Sequence, residues 1–199
     1  MKKLLTTSLS LICLQTLPLT LHADTSNTEL NAQEKKILVN EAKTQIMALG
    51  GALMATLKQG IQANGHAASV EICNTEAPVL TKAASAEGGK TEWTVSRSSL
   101  KIRNPNNAPQ PWVEKVMQDF EKRKAAGEPA QKIAHTEVRD GRFYLVKAIP
   151  TKPGCVVCHG EYVPEDVKAK LSELYPDDKA TGFNVGDIRG VFIASKKLK

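Results

Sequence analysis

Five residues constrain this chain more than any other stretch: Cys155-Val156-Val157-Cys158-His159. The spacing C-x-x-C-H is the attachment signal of a c-type haem. Two thiols three positions apart reach the two vinyl groups on one porphyrin edge and form thioethers with them. The histidine that follows lies under the iron and can bind it through a ring nitrogen. A thioredoxin-like redox pair does not require that histidine, and the chain has no second Cys/His pair at the spacing a zinc site uses. One covalent haem c is therefore the expected cofactor, with Cys155 and Cys158 as attachment points and His159 as an iron ligand.

The address agrees with that chemistry. Met1-Lys2-Lys3, the apolar but Thr/Ser-diluted run from Leu4 to Leu21, and small Ala23 before Asp24 have the form of a secretory signal. Thr6, Thr7, Ser8, Ser10, Gln15 and Pro18 interrupt the run too often for a membrane span. Bulky Ile12 before Cys13 argues against lipidation. The expected organisation is a signal over 1–23 and a single domain over 24–199, long enough for its own core, beginning with a long helix over 24–62. Covalent haem attachment takes place outside the cytoplasm, so an exported, periplasmic protein is expected. Removing the signal takes away two lysines from a formal charge of +6. The remaining basic residues are interspersed with acidic ones, and neither nucleic-acid nor membrane binding is implied.

With Cys13 removed and two cysteines committed to haem, Cys73 is left as a lone thiol in an oxidising compartment. It is a buried bystander, half of an intermolecular disulfide, or a working ligand.

Along the chain, Asn27 or Ser26 can cap the first helix, with Glu29 and Glu34 near its positive end. Leu38, Ala42, Ile46, Leu49, Leu53 and Leu57 form one apolar stripe. Gly50-Gly51 marks a bend or a close neighbour, and Met47 and Met54 beside it read as core filler. Gly60 and Gly65 are expected to close this helix, with Cys73 in the segment 66–74 that follows. A short helix from Pro78 to Ala86 then ends at Gly88-Gly89. Thr91–Ser96 alternates like a strand. The Asn/Pro-rich segment Arg97–Pro109 reads as a loop. Trp112, Val116 and Phe120, with Val113 and Met117, mark an amphipathic helix ending near Gly127. Asp140-Gly141 joins strands over 133–138 and 143–149 in a hairpin. Val163–Leu174 is a helix and Asp187–Ser195 a final strand.

Several motifs together resemble the PAS-like c-type haem domain family, long catalogued as a domain of unknown function. They are Val70-Glu71-Ile72-Cys73-Asn74 with Ala77-Pro78, Arg97 to Pro105, Ala148-Ile149-Pro150 leading into the C-x-x-C-H loop, Leu174 to Gly182, and Gly186-Asp187-Ile188-Arg189-Gly190. The resemblance covers nearly the whole mature chain. It implies an α+β fold: a PAS-like antiparallel sheet with flanking helices, a long N-terminal helix and one covalently attached haem. It further implies iron held between a histidine and a cysteine thiolate, here His159 and Cys73.

The residues bear on that ligand pair independently. Among His66, His135, Met47, Met54, Met117 and Cys73, only Cys73 is hard to explain otherwise. His135 reads as a strand residue, at the surface or half-buried, and His66 as a solvated loop end. A thiolate ligand favours ferric iron and a low potential, and two axial ligands close the iron until the sulfur leaves. Haem propionates need cations, and Arg97, Lys101 and Arg103 are candidates; a plain solvated basic loop explains them equally well. Trp93, Phe143, Tyr144 and Tyr175 either wall the haem or form ordinary core. Three functions follow: a redox or small-ligand (NO/CO) sensor, a periplasmic electron-transfer cytochrome, or an enzyme such as a peroxidase. The last is weakest, because a six-coordinate iron has no open site and no acid/base constellation accompanies it. The expected partners are a redox or signalling protein and a diatomic gas.

Overall fold

Asn31 starts the first helix. Its side chain accepts from the Glu34 amide, and Glu34 accepts in return from the Asn31 amide, both at 2.9 Å, which satisfies two otherwise orphaned donors. The computed structural model describes residues 30–85 and 91–199. The signal expected over 1–23, the caps expected at Ser26 or Asn27, and the Gly88-Gly89 stop all lie outside the described residues.

Helix α1 is assigned over Ala32–Ala83, but Gly65 breaks it into two arms. Ala42, Ile46 and Leu49 of the expected stripe are buried, with Leu38 and Leu53 packed beside them. Gly50 lies against the Phe192 ring, so a close neighbour rather than a bend explains it. Met47 and Met54 are 67% and 53% exposed and fill no core.

The expected end at Gly60 is not observed. The first arm continues to residue 64, and residues 66–83 form a second arm that includes the segment around Cys73 and carries Pro78 in its interior. Gly60 is buried because Ile72 lies directly on it; a Cβ there would overlap the Ile72 side chain. A continuous helix would hold these two residues about 18 Å apart, so the arms fold back on each other. Gly65 makes the reversal at φ 78°, ψ 179°, a conformation essentially confined to glycine.

Four strands form one antiparallel sheet in the order β1-β4-β3-β2: β1 Trp93–Ser98, β2 Ala134–Arg139, β3 Arg142–Pro150 and β4 Ile188–Lys197. Strand β1 takes in Arg97 and Ser98, which the sequence assigns to the loop. The hairpin between β2 and β3 turns at Asp140 and Gly141, both at positive φ, as Asp-Gly demands. Helix α2, Pro111–Ala125, covers one face through Val113, Met117 and Phe120 over Val146, Ala148 and Val191. The first arm of α1 covers the other through Ala42, Ile46 and Leu49 against Val95, Leu145 and Ala194. A one-turn helix α3, Val156–His159, follows β3. Helix α4, Glu165–Leu174, packs Val167 and Leu171 on Val70 of the second arm. No helix among the described residues is long and apolar enough to cross a membrane.

Replacing Gly65 by Ala should cost about 1–3 kcal/mol, read as a lower urea midpoint with unchanged slope. A second expectation concerns Asp187, which pairs with Lys124 at 2.7 Å and accepts from the Asn184 amide at 2.8 Å. Burial pushes its carboxyl up, but the Lys124 bond and the Asn184 amide outweigh that, and its pKa lies below the ordinary value. A depressed folded pKa gives stability that is present above the unfolded value, about 3.9, and lost as pH falls through the folded one. Asp187→Asn should therefore cost no more than ~1 kcal/mol at pH 7 and flatten the acid limb of a stability–pH profile.

Candidate functional site

Pro150, Pro153 and Gly154 end strand β3 and leave room for a single helical turn. That turn sets Cys155 and Cys158 three positions apart on one side, with His159 at its end. A strap of irregular chain over 178–183 holds the turn in place. Gly182 and Phe183 donate their amides to the Gly160 and His159 carbonyls at 2.9 Å, and Lys179 ties the strap to the Ile102 carbonyl at 2.9 Å.

The turn faces a cavity of about 730 Å³. Leu57 and Ile61 of the first arm of α1, and Val70 of the second, supply its apolar wall; Cys73, Cys155, Cys158 and His159 line it as well. A smaller space of about 190 Å³ adjoins it and shares Cys73, His159, Arg103 and Arg189, adding Arg97 and Tyr175. The fold-back at Gly65 is what carries Cys73 to this place. Cys73, Cys155 and Cys158, the cysteines among the described residues, form no disulfide. Burial raises the Cys73 pKa, against the opposing pull of Arg103, Arg97 and Arg189, so in the bare protein the sulfur stays protonated at neutral pH.

The tautomer of His159 follows from its contacts. Nδ1 lies 2.7 Å from the Ala180 carbonyl and 3.2 Å from the Arg189 Nε. One ring nitrogen cannot both donate to the first and accept from the second. The shorter contact places the proton on Nδ1, because a bare lone pair would repel a carbonyl oxygen at that distance. Burial, then Arg189 and Arg103, push the His159 pKa down to about 3 against the help of the Ala180 carbonyl. The ring is neutral at physiological pH, and Nε2 keeps a free lone pair for a metal.

Three guanidiniums surround Cys73 with one carboxylate between them. Arg103, 9% exposed, pairs with Asp178 at 2.8 Å and donates to the Cys158 carbonyl at 2.7 Å. Arg189 donates to Ser99 Oγ at 3.0 Å, and burial pushes its pKa down to about 10. The Arg97 Nε is buried with no hydrogen-bond partner. Among the described residues, neither half-buried Arg97 nor half-buried Arg189 forms an ion pair, and a charge partly withdrawn from water without a counterion is costly. An apolar cavity rimmed by uncompensated cations suits a ligand with a flat apolar body and carboxylates, which is the chemistry of the haem that the C-x-x-C-H spacing calls for. The residues do not suit a bare metal ion. No three His, Cys, Asp or Glu among those described are gathered closely enough to hold one.

Of the residues singled out from sequence, Cys73, Cys155, Cys158, His159, Arg97 and Arg103 converge here. Lys101 does not; its Nζ reaches the Thr181 carbonyl at 3.3 Å and lies 5.0 Å from the centre of the Phe183 ring. Tyr175 is at the site, whereas Trp93 and Phe143 pack edge-to-face in the core and Tyr144 pairs with Trp112. His135 is half-buried against Glu137. His66, expected as a solvated loop end, is half-buried on the second arm and lines the larger cavity. The spacing His66, Val70, Cys73 was the available sign that these residues share a helix face. Arg189 and Asp178 were missed as site residues although both lie inside motifs quoted above.

The Tll0287-like family matches residues 20–196. Among solved structures, that of the cyanobacterial heme-protein Tll0287 aligns with a TM-score of 0.59 at 23% identity, covering 84% of this chain and 97% of that one. The likeness identifies the fold as PAS-like. No curated protein matches.

If Arg97 carries an uncompensated charge, Arg97→Met should stabilise the haem-free chain, by about 1 kcal/mol, in chemical denaturation. A loss of stability would mean that the guanidinium is already satisfied.

Proposed function

The chain belongs to the Tll0287-like family, and from that premise we propose that it is an exported, periplasmic monohaem c-type protein that senses redox state or a small ligand such as NO or CO. Cys155 and Cys158 would hold the haem covalently, His159 would bind the iron through Nε2, and Cys73 would be its second protein ligand. The observation that carries this reading is the sharing of one apolar cavity by the C-x-x-C-H turn and Cys73, with Nδ1 of His159 committed to a carbonyl. The solved relative is itself described as a heme-protein.

Held there, a haem would supply a one-electron iron centre, and its Lewis acidity would favour the thiolate form of Cys73. The protein's own part is positional and electrostatic. Apolar side chains of α1 exclude water from the cavity. Arg97 offers an unpaired guanidinium to a propionate, and Arg189 adds positive charge beside the imidazole. His66 also lines the cavity, but it sits two turns from Cys73, about 10 Å along the arm, and is absent from the smaller space that Cys73 and His159 share. Met54 lines both spaces as Cys73 does; Cys73 is favoured over it because a lone thiol in an oxidising compartment calls for a role. We read the protein as a binding and redox module rather than an enzyme.

A second reading, periplasmic electron transfer, is favoured by one observation. Exposed Lys58 and Lys152 stand at the cavity wall, where they could guide an acidic redox partner. Titrating the reduced protein with CO and NO separates the two. Binding with loss of the sulfur ligand supports the sensor, and fast electron exchange without gas binding supports the carrier.

The purified holoprotein should keep its colour through acidified acetone and weigh one haem more than the chain; extraction of the colour would refute covalent attachment. Cys155→Ala or Cys158→Ala should weaken attachment, and His159→Ala should lose the iron–imidazole bond. Cys73→Ala should retain covalent haem, lose the low-spin thiolate spectrum and raise the midpoint potential. Survival of that spectrum would rule out Cys73 as the ligand.

A further inference from the structure

We propose that the buried Arg103–Asp178 pair is a positioning device for His159, acting through the Ala180 carbonyl and setting how strongly the imidazole donates to the metal. The proposal rests on the reading that Nε2 of His159 binds iron.

The connection is unbroken. Arg103 donates through Nε to Asp178 Oδ2 at 3.0 Å, and its Nη2 lies 2.8 Å from the same oxygen. The other carboxylate oxygen, Oδ1, accepts the Ala180 amide at 2.8 Å. The carbonyl of Ala180 faces His159 Nδ1 at 2.7 Å. Nη2 of Arg103 also donates to the Cys158 carbonyl at 2.7 Å, the residue before His159. One guanidinium therefore grips the turn that carries the imidazole and, through Asp178, the strap that carries the imidazole's hydrogen-bond acceptor. Both members of the pair are close to fully buried, with side chains 8% and 10% exposed.

A buried ion pair is weak evidence for stability, because desolvation offsets its attraction. Its value lies in geometry. A carbonyl held firmly against Nδ1–H makes the imidazole a stronger donor at Nε2, and losing such a partner typically weakens metal binding 10–100-fold. Arg103 is thus assigned away from the propionate role expected of it: Nε and Nη2, two of its three nitrogens, are engaged inside the protein, whereas the buried Nε of Arg97 has no partner. The pair also gives a use to the Leu174–Gly182 motif, which contributes no ligand of its own.

The test compares the holoprotein with Asp178→Asn, which keeps shape and an acceptor for Ala180 but loses the charge, and with Arg103→Lys, which keeps a charge but loses the fork. In a Cys73→Ala background, resonance Raman of the reduced protein reads the iron–imidazole stretch directly. The band should move to lower frequency in both variants, and with Cys73 intact the midpoint potential should rise in both. Asp178→Glu should return the band toward the parent position. A merely structural salt bridge would lower thermal stability and leave the band where it was. An unchanged band and potential in either variant that carries covalent haem overturns the device alone. A five-coordinate, high-spin reduced Cys73→Ala parent that shows no iron–imidazole band overturns the His159 assignment, and this inference with it.

Discussion

The reversal at Gly65 is the constraint on which the site depends. A helix continuing through Gly65 would carry Cys73 about 12 Å beyond that point along a single rod. Folding back places it beside the arm it left, and the two arms together make one wall of the cavity. The reversal is secured from two sides. Gly60, lacking a side chain, admits Ile72, and α4 clamps the returning arm through Val70, Val167, Leu171 and Tyr175. Cys158 packs at the edge of that same cluster. The apolar contacts that hold the arm in place therefore also bring it against the attachment loop.

What could be read from sequence divides along the range of the forces involved. The Asp140-Gly141 hairpin, the buried stripe of α2 and the C-x-x-C-H turn are local, and each follows from backbone preferences or covalent chemistry acting over a few residues. The second arm of α1 was not legible in this way. Gly60, Gly65 and Pro78 all weigh against helix by propensity, and residues 66–74 read accordingly as a corner. Packing of Val70 and Ala77 overrides that preference, and Gly60 serves as a point of close approach rather than a terminator. The basic loop shows the same limit. Arg97 and Arg103 reach the site and Lys101 does not, although the three lie within seven residues. Arg97 is on the last turn of the β1 pleat beneath α1, whereas Lys101 is exposed and reaches over Phe183 instead. Arg189 arrives from the opposite end of the chain through the β1–β4 pairing, which no short pattern encodes.

Charge explains why the site has this composition. Three guanidiniums near one carboxylate leave an excess of positive charge beside the cavity, and burial keeps the Cys73 sulfur protonated there. Both conditions would reverse in the proposed holoprotein: Arg97 and Arg189 would have carboxylates to pair with, and a Lewis-acidic metal would favour the Cys73 thiolate. On the proposed reading the arginines thus belong to the holoprotein. The cost they impose without cofactor is a measure of how strongly binding and folding are coupled.

The two sides of the site are held by different means, and that difference bears on sensing. His159 is fixed by hydrogen bonds: the strap donates to its carbonyl and to that of Gly160, Ala180 accepts from its ring, and Arg103 grips the preceding residue. Cys73 rides on a helical arm held by apolar side-chain contacts, which are non-directional and tolerate sliding. A shift of that arm would move the sulfur without moving the imidazole. On the proposed reading, a sulfur held by apolar contacts and an imidazole held by hydrogen bonds would give the asymmetry a displacement switch requires. On that reading the asymmetry speaks for the sensor, since a carrier would gain by holding both ligands still through each electron transfer.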